Sequence, residues 1–174
     1  QRGLHGVEMV TSDDHGGLKA ALRATLQGAA WKRCHFHLQQ NAAAYVPKVH
    51  MRDEVAEDIR GILTAPSRDE AERLLDLAAQ KYAKSASRLA SWMQSALPEG
   101  FAVFMLPQRH RRRLRTTNML ERVNKEVRRR TRVATLFPNE ASLLRLVSAV
   151  LMETSEDWET GRVYLKPEED DRTQ

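Results

Sequence analysis

The sequence of 174 residues contains one cysteine, few glycines and prolines, and no long hydrophobic run. Because Cys34 is alone, an intramolecular disulfide is excluded and an intracellular setting is favoured. Eight glycines and six prolines, beside 41% hydrophobic residues, argue against disorder of the whole chain. No apolar run approaches the roughly 18–20 residues of a membrane span, and the N-terminus lacks a signal-peptide layout. We therefore expect a soluble cytoplasmic protein with no membrane partner. The start at Gln1, without a Met, predicts a fragment or a processed piece.

Positive charge is concentrated between residues 109 and 132. This segment holds eleven Lys and Arg against two acids, Glu121 and Glu126, and so carries +9 in a chain whose net charge is +5. A segment of one sign repels itself unless it meets a polyanion, and nucleic-acid phosphates are the usual one. The alternative is a solvated basic face without a partner. The acidic residues 168–171 predict a frayed tail.

The order of predicted elements indicates an α/β core interrupted by helices. Strands are predicted at 6–12 and 30–34, each followed by a helix, at 18–26 and 37–46. Only helical patterns follow, at 52–63, 67–82 and 87–97, and then again at 119–130 and from 139 to Gly161. The predicted organisation is a core in two parts, 1–48 and 101–165, an all-helical insertion at 49–100 and an acidic disordered tail at 166–174.

Three helical stripes and two tryptophans are expected to face the core. The stripes are Val55, Ile59, Ile62 and Leu63; Leu74, Leu75, Leu77 and Ala78; and Leu143, Leu144, Val147, Val150 and Leu151. Trp31 and Trp158 fall in patterned elements and are predicted to be buried. Trp92 has two interpretations, packing in the core or stacking on an unpaired base.

Asp13 stands where the first predicted strand gives way to a glycine-rich turn. Ligands gather at the carboxyl ends of strands in open α/β sheets, so Asp13 is a candidate site residue. The alternative is that Asp13 or Asp14 caps the following helix.

Glu121 lies near the start of the basic helix, beside an apolar seam. It is either the N3 residue of a capping box with Asn118 as N-cap, or a carboxylate held towards a crevice. Glu126, in contrast, has Arg122 and Arg130 one turn away on either side. If Asp13 and Glu121 converge, their charge requires a divalent cation, and hard oxygen ligands suit Mg²⁺ or Mn²⁺. Two such ions under DNA would support phosphoryl transfer, although two carboxylates are fewer than such a site usually needs.

Cys34 and His37 have half of a zinc-site spacing. No second cysteine completes it, so a structural zinc would need other histidines, namely His15, His35, His50 or His110. The simpler interpretation is a buried small thiol beside a histidine that starts a helix.

Several short sequence motifs follow one another along the chain. They are residues 10–18 (VTSDDHGGL), 31–37 (WKRCHFH) with Asn41, 115–130 (RTTNMLERVNKEVRRR), 137–140 (FPNE), 142–146 (SLLRL), Trp158 and 161–165 (GRVYL). Together they closely resemble the Mutator-type family of bacterial insertion-sequence transposases over nearly the whole chain.

The resemblance implies a ribonuclease H-like core whose Asp-Asp-Glu triad binds two divalent ions. Asp13 matches the second Asp, Glu121 the Glu, and Cys34 with His37 a Cys-x-x-His pair of the family. Asp14 stands where a small residue is common, which leaves open which of Asp13 and Asp14 faces the metal. No residue before Gly6 supplies the first Asp, and the N-terminal DNA-end-binding region is absent from this sequence.

Two hypotheses follow from this resemblance. The first is the C-terminal part of a transposase catalytic domain, inactive alone, that in the full homo-oligomeric enzyme uses Mg²⁺ for DNA hydrolysis and strand transfer. Its expected phosphate-holding residues are Arg111, Arg112, Arg113, Arg115, Asn118, Arg122, Arg128 and Arg129. The second is a non-catalytic DNA-binding remnant whose carboxylates only cap helices. A structural or regulatory helical protein is disfavoured by the charge of the segment 109–132.

Overall fold

The computed structural model describes residues 5–133 and 137–161. The chain divides into two compact units, Gln1–Thr116 and Thr117–Gln174. The described residues are mostly helical with one small parallel sheet, consistent with the α/β class. None of the helices in these ranges is long and apolar enough to cross a membrane. The predicted acidic tail, 166–174, lies outside the described residues.

The first unit opens with a strand–helix–strand–helix motif, as predicted. Strand β1 (Met9–Ser12) pairs in parallel with β2 (Ala30–Arg33), and helix α1 (Gly16–Thr25) connects them. Helix α2 (His35–Ala42) follows β2 at once and continues into a 3₁₀ turn at Ala43–Tyr45. Both strands are shorter than predicted. Gly28 turns the chain between α1 and β2 at a φ of +93°, a conformation that glycine adopts without strain.

Three helices form the middle of the first unit. After a 3₁₀ turn at Val49–Met51, these are α3 (Arg52–Leu63), α4 (Arg68–Tyr82) and α5 (Ser87–Ala96). The hydroxyl of Ser67 accepts a hydrogen bond from the Glu70 amide, which is half of the predicted capping box. The Glu70 carboxylate pairs with Arg73 instead of returning to the amide of Ser67.

The core lies mainly within these helices. The predicted face of α3 is confirmed, since Val55, Ile59, Ile62 and Leu63 are each 1% exposed. On α4 the buried residues are Ala71, Leu75, Ala78, Ala79 and Tyr82. Leu77 was wrongly predicted and is 49% exposed, because the buried stripe is centred on the face of Leu75 and Ala78. The apolar run that follows α5 forms a 3₁₀ segment, Leu97–Met105, which packs against β2. Helix α6 (Gln108–Leu114) follows it.

The second unit contains two helices, α7 (Asn118–Val133) and α8 (Glu140–Thr160). Asn139 caps α8 by accepting a hydrogen bond from the Ser142 amide, and the helix ends at Gly161 as predicted. The predicted core face of α8 is largely wrong. Among the described residues of α8 only Val150 is buried, while Leu144 is 55% and Trp158 53% exposed. Two helices cover each other along one line only, so most of an apolar stripe stays accessible.

A close approach joins α2 to the 3₁₀ segment. The His35 ring Nε2 lies 3.0 Å from the carbonyl oxygen of Gly100, and the side chain is 5% exposed. A Cβ at Gly100 would lie 3.0 Å from Leu38 and 3.1 Å from His35, so a larger residue here would make these side chains shift. Burial, together with the positive charge of Lys32, lowers the pKa of His35 to about 3.

Truncation of a core leucine should test how the first unit is held together. Leu89→Ala removes a side chain that is 0% exposed and is expected to lower the free energy of unfolding by about 2–5 kcal/mol. Leu77→Ala, on the neighbouring helix, is the matched control and should cost less than about 1 kcal/mol because Leu77 is largely in solvent. Urea unfolding followed by circular dichroism measures both values. Equal losses would contradict this assignment of the core.

Acid should destabilise the first unit through His35. The unfolded chain binds the imidazole proton below a pH of about 6.5, whereas the folded chain binds it only near pH 3. The unfolded state therefore holds more protons in this window, and stability falls as the pH falls. Between pH 7 and pH 5 the wild-type chain should lose about 2 kcal/mol more unfolding free energy than His35→Gln, whose amide does not titrate. Parallel losses in urea titrations at the two pH values would refute this role of His35.

Candidate functional site

Two adjacent carboxylates follow β1 and have different surroundings. Asp13 is exposed, and no described residue donates a hydrogen bond to its side chain or pairs with it. Asp14 forms ion pairs with Lys19 and, at 3.2 Å, with the Arg33 guanidinium. The hydrogen bond from Lys19 and the charge of Arg33 hold the pKa of Asp14 below its usual value. Asp14 is thus neutralised by neighbouring cations, whereas the carboxylate of Asp13 is uncommitted.

Arg33 connects three parts of the first unit at the end of β2. Its side chain is 7% exposed, and Nη1 lies 2.9 Å from Oε2 of Glu99 in addition to its contact with Asp14. Lys19 approaches Glu99 at 3.7 Å. We refer to Asp14, Lys19, Arg33 and Glu99 as the strand-end ion cluster. Two acids and two bases balance within it, so it fixes the segment that carries Asp13 without adding net charge.

The capping alternative for the two aspartates is wrong. The N-cap of α1 is His15, whose ring Nδ1 accepts a hydrogen bond from the amide of Leu18 at 3.2 Å. A histidine ring nitrogen satisfies the orphan amide that an aspartate was expected to take. Asp13 therefore has no described capping role.

The carboxyl ends of both strands are hydrogen-bonded to the residues that end helix α6 (Gln108–Leu114). Thr11 Oγ1 donates to the carbonyl of Leu114 at 3.3 Å. The carbonyl of Arg115 accepts bonds from Lys32 Nζ at 3.0 Å and from the His35 amide at 2.9 Å. Lys32 is 0% exposed, and burial lowers its pKa to about 8. Residues 114 and 115 are thereby fixed at the edge of the sheet that Asp13 follows.

The basic residues on α6 have unequal roles. Arg111 donates to the carbonyl oxygens of Leu106 (2.8 Å), Pro66 (2.7 Å) and Phe104 (3.2 Å), and so anchors the 3₁₀ segment. Arg112 and Arg113 are exposed. Arg115 is half-buried, and its Nε atom is buried without a hydrogen-bond partner among the described residues. A buried donor without a partner is uncommon in proteins.

Glu121 lies in the first turn of α7, but not in the predicted capping box. Asn118 is the first residue of the helix, so the N-cap position falls on Thr117 and the prediction for Asn118 is wrong. The hydroxyl of Thr117 donates to Glu121 Oε1 at 2.9 Å. Glu121 is exposed and forms no ion pair with a described residue. Its carboxylate is held by one neutral donor and is not neutralised.

Glu126 neutralises part of the basic helix. Arg129 contacts both carboxylate oxygens, at 2.9 and 2.7 Å, and Arg130 contacts one at 2.8 Å. These hydrogen bonds lower the pKa of Glu126 to about 2. Of its two predicted partners, Arg130 is correct and Arg122 is wrong. Arg122 and Arg128 are exposed and pair with no acid in the described part of the chain.

The zinc alternative for Cys34 and His37 finds no support. Within residues 5–133 and 137–161, no three His, Cys, Asp or Glu side chains are placed to hold a metal ion. Cys34 is 0% exposed, in agreement with the interpretation as a buried thiol. The Nδ1 atom of His37 is buried and has no hydrogen-bond partner among the described residues.

Sequence reasoning missed Lys32, Arg33 and Glu99. The signal was available for the first two, since Lys32-Arg33 is a charged pair inside a predicted strand, where burial requires specific partners. Glu99 gave no such signal because its partners lie far away in the sequence.

Comparisons with known proteins agree on one family. The family described as "Transposase, Mutator family" matches residues 1–161. The transposase for insertion sequence element IS406 from Burkholderia multivorans is 55% identical over 94% of this chain and 42% of its own length. The transposase for ISRM5 from Rhizobium meliloti is 42% identical over 94% of this chain and 41% of its own.

More distant relatives give the same result. The transposase for IS1081 from Mycobacterium tuberculosis is 38% identical over 94% of this chain and 39% of its own length. The chain thus spans about two fifths of the length of these curated relatives. With the family match over nearly all of its residues, the chain belongs to the Mutator family of transposases.

Proposed function

We propose that this chain is part of a transposase catalytic domain. In the full, homo-oligomeric protein it would take part in metal-dependent DNA hydrolysis and strand transfer at insertion-sequence ends. The relatives are named as transposases for insertion sequence elements, which supports this substrate class. A ribonuclease H-like core is part of the proposal, and the parallel order β1–α1–β2 is compatible with it.

The observation that carries the proposal is the contrast between Asp13 and Asp14. Asp14 is neutralised by Lys19 and Arg33. The Asp13 carboxylate pairs with no described residue, and it follows a strand end, where α/β folds bind ligands. This contrast supports Asp13, and not Asp14, as the aspartate of the metal site.

The donor chemistry of Asp13 and Glu121 fits Mg²⁺ or Mn²⁺. Both offer carboxylate oxygens that no described cation neutralises, and such hard ligands suit these ions. Since no described group of three ligands exists, the proposal requires a further carboxylate from outside the described residues. Bound ions would supply Lewis-acid activation of the attacking oxygen and charge neutralisation at the leaving oxygen.

The carboxylate of Glu121 is oriented within the second unit. The hydroxyl of Thr117 donates a hydrogen bond to Glu121 Oε1 at 2.9 Å, at the start of α7. This contact supports a defined position of the carboxylate on its own helix.

The basic residues would hold DNA through its phosphates. Arg112, Arg122 and Arg128 are exposed, and Arg115 carries a buried orphaned N–H. Arg113 and Asn118 are further residues proposed to hold phosphates. Arg111 and Arg129 would add mainly long-range attraction, because carbonyls and Glu126 occupy their donors. Phosphate contacts position DNA and do not read its sequence.

A second candidate is a DNA-binding protein without catalysis. It is compatible with the exposed residues Arg112, Arg122 and Arg128, because their contacts with phosphates would need no metal ion. The two functions differ in whether Asp13 and Glu121 matter for anything beyond local structure.

Substitution of the carboxylates should separate the two candidates. In the full-length transposase that contains this chain, Asp13→Asn and Glu121→Gln should each lower strand transfer by about 10³-fold or more, because each removes a metal ligand. Asp14→Asn should cost less than about tenfold, because its charge is already neutralised. Asp69→Asn, on α4, is the matched control and should leave activity unchanged. The assay is strand transfer of a labelled oligonucleotide in Mg²⁺.

The 174-residue chain alone should not cleave DNA. Metal-dependent cleavage by this chain that survives both Asp13→Ala and Glu121→Ala would refute the assignment. A full-length protein that tolerates Asp13→Asn would instead favour the DNA-binding candidate.

If the exposed arginines contact phosphates, the affinity for duplex DNA should fall as the salt concentration rises. Arg112→Ala and Arg128→Ala are each expected to weaken duplex binding and to lower the slope of log K against log salt by about 1. Arg60→Ala, which removes the same charge from α3, should change neither value. Fluorescence anisotropy of a labelled duplex between about 50 and 200 mM salt gives the slopes. A slope unaffected by both variants would exclude these phosphate contacts.

A further inference from the structure

Two surface clefts adjoin each other along helix α5. The larger has a volume of about 580 Å³ and the smaller about 390 Å³. Both are lined by Tyr45, Trp92 and Ser95, so these three residues form the boundary between them. A site of several hundred Å³ has the size of a small-molecule pocket and does not accommodate a duplex.

The boundary is an aromatic platform. The rings of Tyr45 and Trp92 stack with their centroids 5.2 Å apart and their planes inclined by 22°. Both side chains are half-buried and pack against the core of the first unit, which holds them rigid. A rigid, accessible pair of stacked rings is a surface on which a further flat ring can stack.

The two clefts differ in the charge that is open to a ligand. The larger is lined by Asp14, Glu99 and Arg33 of the strand-end ion cluster, which pair with one another, and by the amides of Gln40 and Asn41. Because Arg33 is engaged by the two carboxylates, this cleft offers a phosphate no open cation, whereas its amides can hydrogen-bond to the edge of a neutral base. The smaller cleft contains Arg88 and the hydroxyl groups of Ser87 and Ser91, and it has no acidic lining residue. This second environment suits a phosphate.

We propose that the paired clefts hold one unpaired nucleotide of single-stranded DNA. Its base enters the larger cleft and stacks on the platform of Tyr45 and Trp92, and its phosphate lies at Arg88. The larger cleft reaches Asp14, the residue next to Asp13, so the unpaired nucleotide would lie beside the strand end. The inference rests on the proposed function for the choice of DNA, and it adds a site for a base that has left the duplex.

Binding of short oligonucleotides to the 174-residue chain tests this site. The probes are a labelled oligothymidylate of about eight nucleotides, the same backbone with abasic sites throughout, and a blunt duplex. Wild-type protein should bind the oligothymidylate roughly 5- to 100-fold more tightly than the abasic strand, since stacking on aromatic rings contributes on that scale. Equal affinities would overturn the proposal, and this comparison needs no variant.

Substitutions of Trp92 and Arg88 test which residue contacts the base and which contacts the phosphate. Trp92→Ala should remove most of the preference for the strand with bases, Trp92→Phe should retain it, and neither should alter duplex binding. Thermal unfolding verifies that each variant is folded. Arg88→Ala should weaken both single strands about equally, by a fewfold, while the matched Arg60→Ala does not. A base preference that persists in folded Trp92→Ala would overturn the site.

The outcomes separate this inference from the proposed function. The variants of Asp13, Glu121, Arg112 and Arg128 test only the proposed function. If they keep normal duplex binding and strand transfer, the proposed function fails, whatever the single-strand experiments show. A chain that binds duplex through its basic surface but shows no base preference in single strands retains the proposed function and loses this inference.

Discussion

The carbonyl group of Arg115 is the point on which the candidate site depends. It accepts hydrogen bonds from a buried lysine, Lys32, and from the first amide of α2, His35. Burial of an ammonium group is costly unless its donors are satisfied, and Lys32 satisfies two of them on the carbonyls of Arg33 and Arg115. If the chain moved away from the sheet at Arg115, Lys32 would be left buried with donors unpaired. This cost holds the chain at Arg115 beside the carboxyl ends of β1 and β2.

The strand-end ion cluster has a complementary effect on charge. Arg33 is nearly buried and holds Asp14 on one side and Glu99 on the other, so each carboxylate offsets part of its desolvation. The cluster joins β2, the residues after β1 and the 3₁₀ segment, three parts of the chain that are distant in sequence. The charges of the cluster balance, whereas Asp13, next to Asp14 in the sequence, is exposed and has no ion pair with a described residue. The cluster therefore gives two adjacent carboxylates different surroundings.

The elements that local rules govern could be predicted from the sequence. The strand–helix–strand–helix order, the Ser67 cap, the buried face of α3 and the end of α8 at Gly161 all follow from periodicity and terminal residues. Predictions failed where a distant or unusual partner decides the outcome. His15 caps α1 through a ring nitrogen, and Trp158 is exposed because α7 offers α8 only one contact line. Motifs predicted Asp13 and Glu121 as candidate site residues, but only the structure shows that cations neutralise Asp14 and that neither candidate has an ion pair with a described residue.

A count of arginines overstates the capacity of the basic segment to hold phosphates. Arg111 uses its donors on three carbonyls, and Arg129 and Arg130 share the carboxylate of Glu126. A guanidinium whose donors are occupied still attracts DNA at long range, but it offers no bidentate contact at short range. Among the described residues of the segment 109–132, the exposed arginines with no acidic partner are Arg112, Arg122, Arg128 and Arg132, so their donors are open to an anionic ligand. The segment therefore combines long-range attraction for anions with a few guanidinium groups whose donors remain open at short range.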